Sequence, residues 1–257
     1  MREQKRLNAW INGAALRDID NRIHVVNITE NAPDQELTWA DAPGRNGQRI
    51  MGRVRRSKQI TIEFDIRELF NLADRAAIVD AVNAWARDGV LKVSHRPHKQ
   101  IRVLLTKPAE LNGARDVTSS YTVEFTAAAT PYWEAEEAVE LHMTGATGGG
   151  ALEIPGSAEA KPEIYITPTT GTLNTLSVSF GFYTMNFTNL GVSSGSTLAI
   201  THDDNGVLVI ADPSVSKLNK RTAESADDFS AAPGYTVASY TANVSCKTVF
   251  AVRGCYL

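Results

Sequence analysis

The segment Tyr121–Glu134, YTVEFTAAATPYWE, constrains this chain more than any other. Tyr121, Val123, Phe125 and Ala127 alternate with Thr122, Glu124 and Thr126. A period of two predicts a β-strand with one buried face. The strand runs into Thr130-Pro131-Tyr132-Trp133, where proline lacks the N–H that a ladder needs. The charge balance reverses at the same place. Residues 1–133 carry 20 Lys+Arg and 16 Asp+Glu, a net of +4, and residues 134–257 carry 6 and 13, a net of −7. All four tryptophans (Trp10, Trp39, Trp85 and Trp133) lie at or before this point. These features together predict two domains, 1–133 and 134–257, each long enough to bury its own core, with the last strand, Val244–Val252, free by pattern to stay with the second or return to the first.

Composition narrows the class. Hydrophobic content of 43% and charged content of 21% are those of a soluble globular protein. No run approaches the roughly 18–20 apolar residues of a membrane span, and MREQKRLNAW opens no secretory signal. Synthesis in a cytoplasm without membrane insertion is the expectation. A net charge of −3 creates no strong field for nucleic acid. Cys246 falls in phase with Val244, Phe250 and Val252, so it reads as a small buried hydrophobe. It has one possible disulfide partner, Cys255, but a reducing compartment argues against the bridge.

The first half has strand patterns at Ile23–Ile28, Lys58–Ile66, Ile101–Thr106 and Tyr121–Ala127. One helix is predicted, about Arg67–Asp88, from the stripe Leu72, Ala76, Val79, Val82 and Ala86, widened by Ile78 and Trp85. Gly89 stands where a left-handed terminator belongs. Asn31–Arg56, with Pro33, Pro43, Gly44, Gly47 and Gly52, reads as a long excursion, either loop or extended hairpin. The second half offers short strands at Pro162–Thr167, Thr175–Phe180, Thr197–Thr201, Val207–Ala211, Thr236–Tyr240 and Val244–Val252. Asp203-Asp204-Asn205-Gly206 is a hairpin-turn signal, because Asn-Gly accepts positive φ. Thr144–Gly150, TGATGGG, reads as flexible. The fold class is mainly β, ending in a β-sandwich.

Chemical motifs are sparse. His95 and His98 sit in SHRPH without the further ligands zinc needs, and Pro97 between them denies a helical face. Asp203, Asp204 and Asn205 lack the spacing and closing Glu of a calcium loop. Neither Asp203-Asp204 nor Asp227-Asp228 forms a carboxylate pair facing across a cleft, as glycoside hydrolysis requires. Phosphate loops and nucleophile elbows are missing. The expectation is no enzyme, with no catalytic, cofactor or metal site. The basic run Arg49–Lys58, RIMGRVRRSK, reads as a solvated face or as a contact surface for an acidic neighbour. Arg53, Arg55 and Arg56 are the candidate subunit-interface residues.

The whole chain resembles the distal tail (Dit) proteins of long-tailed phages. The likeness rests on the Asn12-Gly13 turn, the KQITIEFDI strand leading into a helix, and LTKPAELNGARDVTSSYTVEFTAAATPYWE with its terminal Pro-Tyr. EIPGSAEAKPEIYI and the closing DDFSAAPGYTVASYTANVSCKTVFAVRGCYL extend it through the second half. The resemblance implies a structural protein of the virion, a ring of six copies between tail tube and tip, made in the bacterial host. Its first domain would be tail-tube-like and form the ring, with DNA passing through the channel. Its second would be a galectin-like or carbohydrate-module-like sandwich. Its partners would be the tail tube protein and a tail-associated hub protein. A carbohydrate-binding adhesin is the alternative. Tyr165, Tyr183, Tyr235 and Tyr240 are its possible platforms, although no tryptophan follows Trp133.

Overall fold

The computed structural model describes residues 7–33, 35–41, 48–67, 71–111, 119–203, 205–213 and 215–257, without the side chains of Arg53 and Ser119. The chain forms two compact units, Met1–Trp133 and Glu134–Leu257.

The first unit contains β1 (Ala9–Ile11), β2 (Ala14–Ala15), β3 (Ile23–Glu30), β4 (Gln35–Asp41), β5 (Gln48–Arg55), β6 (Lys58–Ile66), α1 (Leu72–Trp85), β7 (Gly89–Val93), β8 (Lys99–Lys107) and β9 (Ser119–Ala127). Seven strands follow the order β2-β1-β7-β8-β9-β6-β3, with antiparallel neighbours throughout. β6 behaves as its alternation requires. Ile60, Ile62, Phe64 and Ile66 are wholly buried, with Thr61, Glu63 and Asp65 on the other face. Its nine residues all pair with β9, and the Phe64 and Tyr121 rings stack 5.6 Å apart across that ladder. β8 gives its residues 101–103 to β7 and its residues 104–107 to β9, so one bent strand joins the two parts of the sheet.

Helix α1 starts at Asn71, whose Oδ1 accepts the Ala73 N–H at 2.9 Å. Ile78, Val79, Val82 and Trp85 form its buried stripe; the Trp85 ring meets Phe125 edge-on at 6.3 Å, and its Nε1 donates to Ala14 O. The helix is shorter than its apolar period suggests. It closes at Ala86 in an extended conformation (ψ 97°), and residues 68–70 lie outside the described set. Gly89 is therefore no helix terminator. It opens β7, where a Cβ would collide with the Asn12 side chain. Asn12, left-handed at φ 50°, accepts the Val90 N–H and donates to Asp88 O from that position.

Asn31–Arg56 is an extended hairpin. β4 and β5 pair only with each other among the described strands, with a bulge at Met51 where Trp39 faces Ile50 and Thr38 faces Gly52. Pro43, Gly44 and Gly47 lie outside the described residues.

The second unit follows β10 (Trp133–Ala135). It contains β11 (Val139–Ile154), β12 (Pro162–Pro168), β13 (Thr172–Leu173), β14 (Leu176–Phe180), β15 (Tyr183–Phe187), β16 (Val192–Ser193), β17 (Leu198–His202), β18 (Leu208–Asp212), β19 (Val215–Ser216), β20 (Gly234–Val252) and β21 (Cys255–Tyr256). Thr236–Tyr240 and Val244–Val252, separate by pattern, belong to the single 19-residue β20. Its first part pairs with β14 and its second with β12, so the closing strand belongs to this unit. β11 runs along both parts, with a register shift between Gly145 and Thr147. Across this ribbon Phe180 of β14 stacks on Phe250 of β20 at 6.3 Å, and Phe229 closes on Phe180 edge-on. Two β layers thus share one bent ribbon and enclose an apolar core.

The TGATGGG segment is not flexible coil; it is the middle of β11. Its glycines answer a packing need. A Cβ on Gly148 would press on Tyr240 and Met143, and one on Gly150 would press on Leu141. The bend is pinned by the Tyr240 hydroxyl, which donates to Gly145 O at 2.8 Å.

Candidate assembly site

Among the described residues of the first unit, the β4–β5 arm carries the largest concentration of exposed apolar side chains. Trp39 (50%), Ile50 (46%), Met51 (64%) and Val54 (60%) all face outward, although such residues ordinarily seek cover. Of the candidate arginines, Arg55 and Arg56 meet different partners. Arg53 lies opposite Leu37 on β5, its side chain outside the description. The Arg55 guanidinium sits 5.5 Å from the Tyr132 ring centroid. Arg56 is paired within the hairpin, 2.6 Å from Glu36, with both groups exposed.

Where the arm joins the domain, the polarity is inverted. Glu30, the last residue of β3, keeps a side chain only 9% exposed, its carboxylate held by His95 Nε2 at 2.6 Å, Arg96 at 3.0 Å and Lys58 Nζ at 3.2 Å. Trp133 Nε1 donates to the same carboxylate at 2.8 Å. Lys58 and Arg96 also lie over the Trp133 ring, each 5.8 Å from its centroid. Burial by itself would raise the Glu30 carboxyl. Hydrogen bonds from Arg96, Trp133 and His95, with the Arg96 charge, outweigh it and bring the group down to about 2. Burial pushes the Lys58 ammonium below the usual lysine range, opposed by Glu30. Glu30 and Lys58 flank the arm in sequence, and Asn31 N–H donates to Gln59 O beside them. The cluster therefore ties the arm's two ends together.

No sequence motif marks this cluster. Glu30 is one acidic residue at a strand end, and the SHRPH histidine pair drew attention to metals instead. His95 belongs to the Glu30 network, and His98 is a left-handed turn residue at φ 60°. Among the described residues no group of three or more His, Cys, Asp or Glu is placed to hold a metal ion.

The second unit carries its own polar cluster. Asp228 accepts from His202 Nε2 at 2.5 Å and from Lys161 Nζ at 2.7 Å, and Lys161 also donates to Gly206 O. This ties the β17–β18 turn to Asp228. In that turn Asp203 Oδ1 accepts from Asn205 N and Val207 N; Asp204 lies outside the described residues. Asp227 points away from Asp228 to Arg221. Of the four tyrosines, Tyr240 is buried in the bend, Tyr165 is half-buried with its hydroxyl on Glu163, and Tyr183 opens β15 with its side chain exposed. Tyr235 is 80% exposed, close to the fully exposed Phe182 and to Val237, which accepts from Gly181 N. Cys246 and Cys255 are buried and unbridged; burial, with the Glu134 charge, pushes Cys255 up to about 12.

Neither a family model nor a curated protein sequence matches the chain. A solved structure does. The crystal structure of the SPP1 Dit protein, described as a paradigm of the hub adsorption apparatus in phages infecting Gram-positive hosts, superposes with a TM-score of 0.69. The match covers 98% of this chain and 100% of that one at 14% identity. The chain has a Dit fold. A component of the phage P2 baseplate in its activated conformation with Ca aligns at a TM-score of 0.49 and 10% identity, over 96% of this chain and 98% of that one. The Dit fold runs through both compact units, from the β6 alternation to the β11–β20 ribbon.

Proposed function

We propose that this protein is a structural subunit of a phage tail tip, present as a ring of identical copies that joins the tail tube to the hub and host-recognition proteins. The observation that carries the reading is the end-to-end match with the SPP1 Dit fold, both units included. In this reading the first domain, 1–133, forms the ring and lines a channel through which DNA passes, while 134–257 is an outer sandwich. Six copies are expected. The protein is made in the bacterial cytoplasm, resides in the virion, and has no catalytic role. The exposed apolar side chains of the β4–β5 arm support self-association, because a closed ring needs a heterologous contact between unlike surfaces of neighbours. Arg53, Arg55 and Arg56 are assigned to the root half of that contact. Light scattering on the purified full chain, with negative-stain imaging, tests the reading. Closed rings are expected, and a strict monomer at high concentration that is also missing from assembled tail tips refutes it.

A second reading is favoured by one observation. Phe182 and Tyr235 stand exposed beside a sheet face of Ser177, Ser179, Ser239 and Thr241, which suits a neutral saccharide. Titration calorimetry with neutral glycans decides it: saturable binding lost on Tyr235→Ala supports an adhesin, and no heat from any glycan removes it.

A further inference from the structure

The arm needs a surface to receive it, and the same chain offers one of opposite character. A groove of about 330 Å³ lies over the polar face of β6 and β9. Glu63, Asp65 and Glu110 line it with Lys107, and Val26 and Leu111 add half-exposed apolar walls. Asp65 accepts from Ser120 at 2.6 Å and lies 3.6 Å from Arg67; Lys107 stands 3.7 Å from Glu110. Glu63 has no ion-pair partner among the described residues. Among the described lining residues three carboxylates face one lysine, with Arg67 beside Asp65, which leaves an excess of negative charge. In the arm, residues 35–41 and 48–56 carry four arginines (Arg49, Arg53, Arg55 and Arg56) against Glu36 and Asp41. With Glu36 taken by Arg56 and Asp41 accepting from Gln48, the outer arm presents Arg49 beside Trp39, Ile50 and Met51. Strands of this length span about 25 Å, at roughly 3.3 Å per residue. The hairpin is hydrogen-bonded to no other described strand, so it can extend away from its own sheet.

Resting on the ring reading above, we infer that the outer arm of one copy docks in the β6–β9 groove of a second copy, with Arg49 set against Glu63 and Glu110 and with Trp39 and Met51 covering Val26 and Leu111. The contact is heterologous: each copy donates an arm and offers a groove, which is the condition for a ring to grow by rotation. Opposite charge steers the encounter and selects the register, while the apolar residues supply most of the hold.

Two full-length variants separate the halves of this contact. Trp39→Ala/Met51→Ala disables the arm; both residues are exposed, so folding is spared. Glu63→Lys/Glu110→Lys disables the groove. Light scattering should show the self-association of each falling by about tenfold or more. Mixed at equal amounts, the variants should form one-to-one dimers and stop, because only one live arm and one live groove remain per pair. Adding Arg49→Glu to the groove variant should restore part of the association. If the lysine variant melts early by circular dichroism, Glu63→Gln/Glu110→Gln replaces it. A groove variant that assembles like the parent while the arm variant does not overturns the groove and leaves the arm reading standing. Normal assembly by both overturns both. A parent chain that is monomeric and missing from tail tips defeats the ring itself, and this contact with it.

Discussion

Glu30→Gln removes one negative charge from a site holding Lys58, Arg96, the His95 imidazole and an indole N–H. The Glu30 and Lys58 side chains are 9% and 2% exposed, so water cannot replace the missing partner. Breaking a buried pair by removing one member typically costs about 3–5 kcal/mol. Titration sets a second figure, a ceiling before solvent screening. The carboxyl drops from its ordinary 4.5 to about 2, worth at most about 3 kcal/mol at 1.36 kcal/mol per pH unit. Because His95 and Arg96 remain about one-third exposed, solvent screening reduces that to about 2. Urea unfolding at pH 7 should therefore show a loss of roughly 2–4 kcal/mol. The sign of the pH dependence is fixed. A carboxyl whose folded value lies below its unfolded value stabilises fully above about pH 4.5, and that stability drains away as pH falls toward 2. The gap between parent and Glu30→Gln must narrow over that window. Adding Lys58→Met should recover part of the loss, because the uncompensated buried ammonium is then gone. A loss under about 0.5 kcal/mol, a gap unchanged between pH 7 and pH 2.5, or strict additivity with Lys58→Met would refute the reasoning.

Three further outcomes follow from local geometry. Gly148→Val should cost about 1–3 kcal/mol in denaturant unfolding, because its Cβ would meet Tyr240 at 2.8 Å and Met143 at 3.0 Å; Gly149→Ala, whose Cβ would meet Ser239 at an ordinary 3.5 Å, should be nearly neutral. Cys255, buried and pushed up to about 12, should resist iodoacetamide at pH 8 in the folded protein and react at the normal rate in urea, as read by mass spectrometry. Asn12→Ala should lower the melting temperature, at about 1 kcal/mol, through a left-handed backbone that loses its anchoring side chain, since the exposed Val90 N–H can turn to water; Asn12→Asp, which keeps the acceptor, should lose less.

Strand identity was legible wherever one face is buried and the other wet. Ile60, Ile62, Phe64 and Ile66 announce β6 because alternation is the physical cost function of a half-buried strand. The same rule failed at Gly148 and Gly150. Composition treats glycine as flexibility, yet here it is dictated by Met143, Leu141 and Tyr240, residues brought close only once β11 bends. Helix α1 ran too long on paper because an apolar period marks what packs and says nothing of where the backbone turns away. Asn12, far off in sequence, decides what Gly89 does. The Glu30 cluster was illegible for a related reason. Its members come from positions 30, 58, 95, 96 and 133, and only the sheet register assembles them.

Those two kinds of information age differently, which bears on how a Dit fold persists at 14% identity. Alternation is degenerate: any apolar residue of suitable size at positions 60, 62, 64 and 66 keeps β6 in the sheet. The Glu30 network is not degenerate, since a buried charge tolerates loss of a partner badly. It sits at the two ends of an arm whose exposed Trp39, Ile50 and Met51 gain nothing for the isolated chain. Stability placed at the root of an element that carries apolar residues into solvent is wasted in a monomer. In an assembly it is useful, because ordering the arm before contact removes that entropy from the binding step. On this argument Glu30→Gln should weaken self-association by more than its effect on folding explains, visible in light scattering at concentrations of urea where both proteins remain folded. Equal association by parent and variant under those conditions would mean that the cluster serves only the domain's own stability.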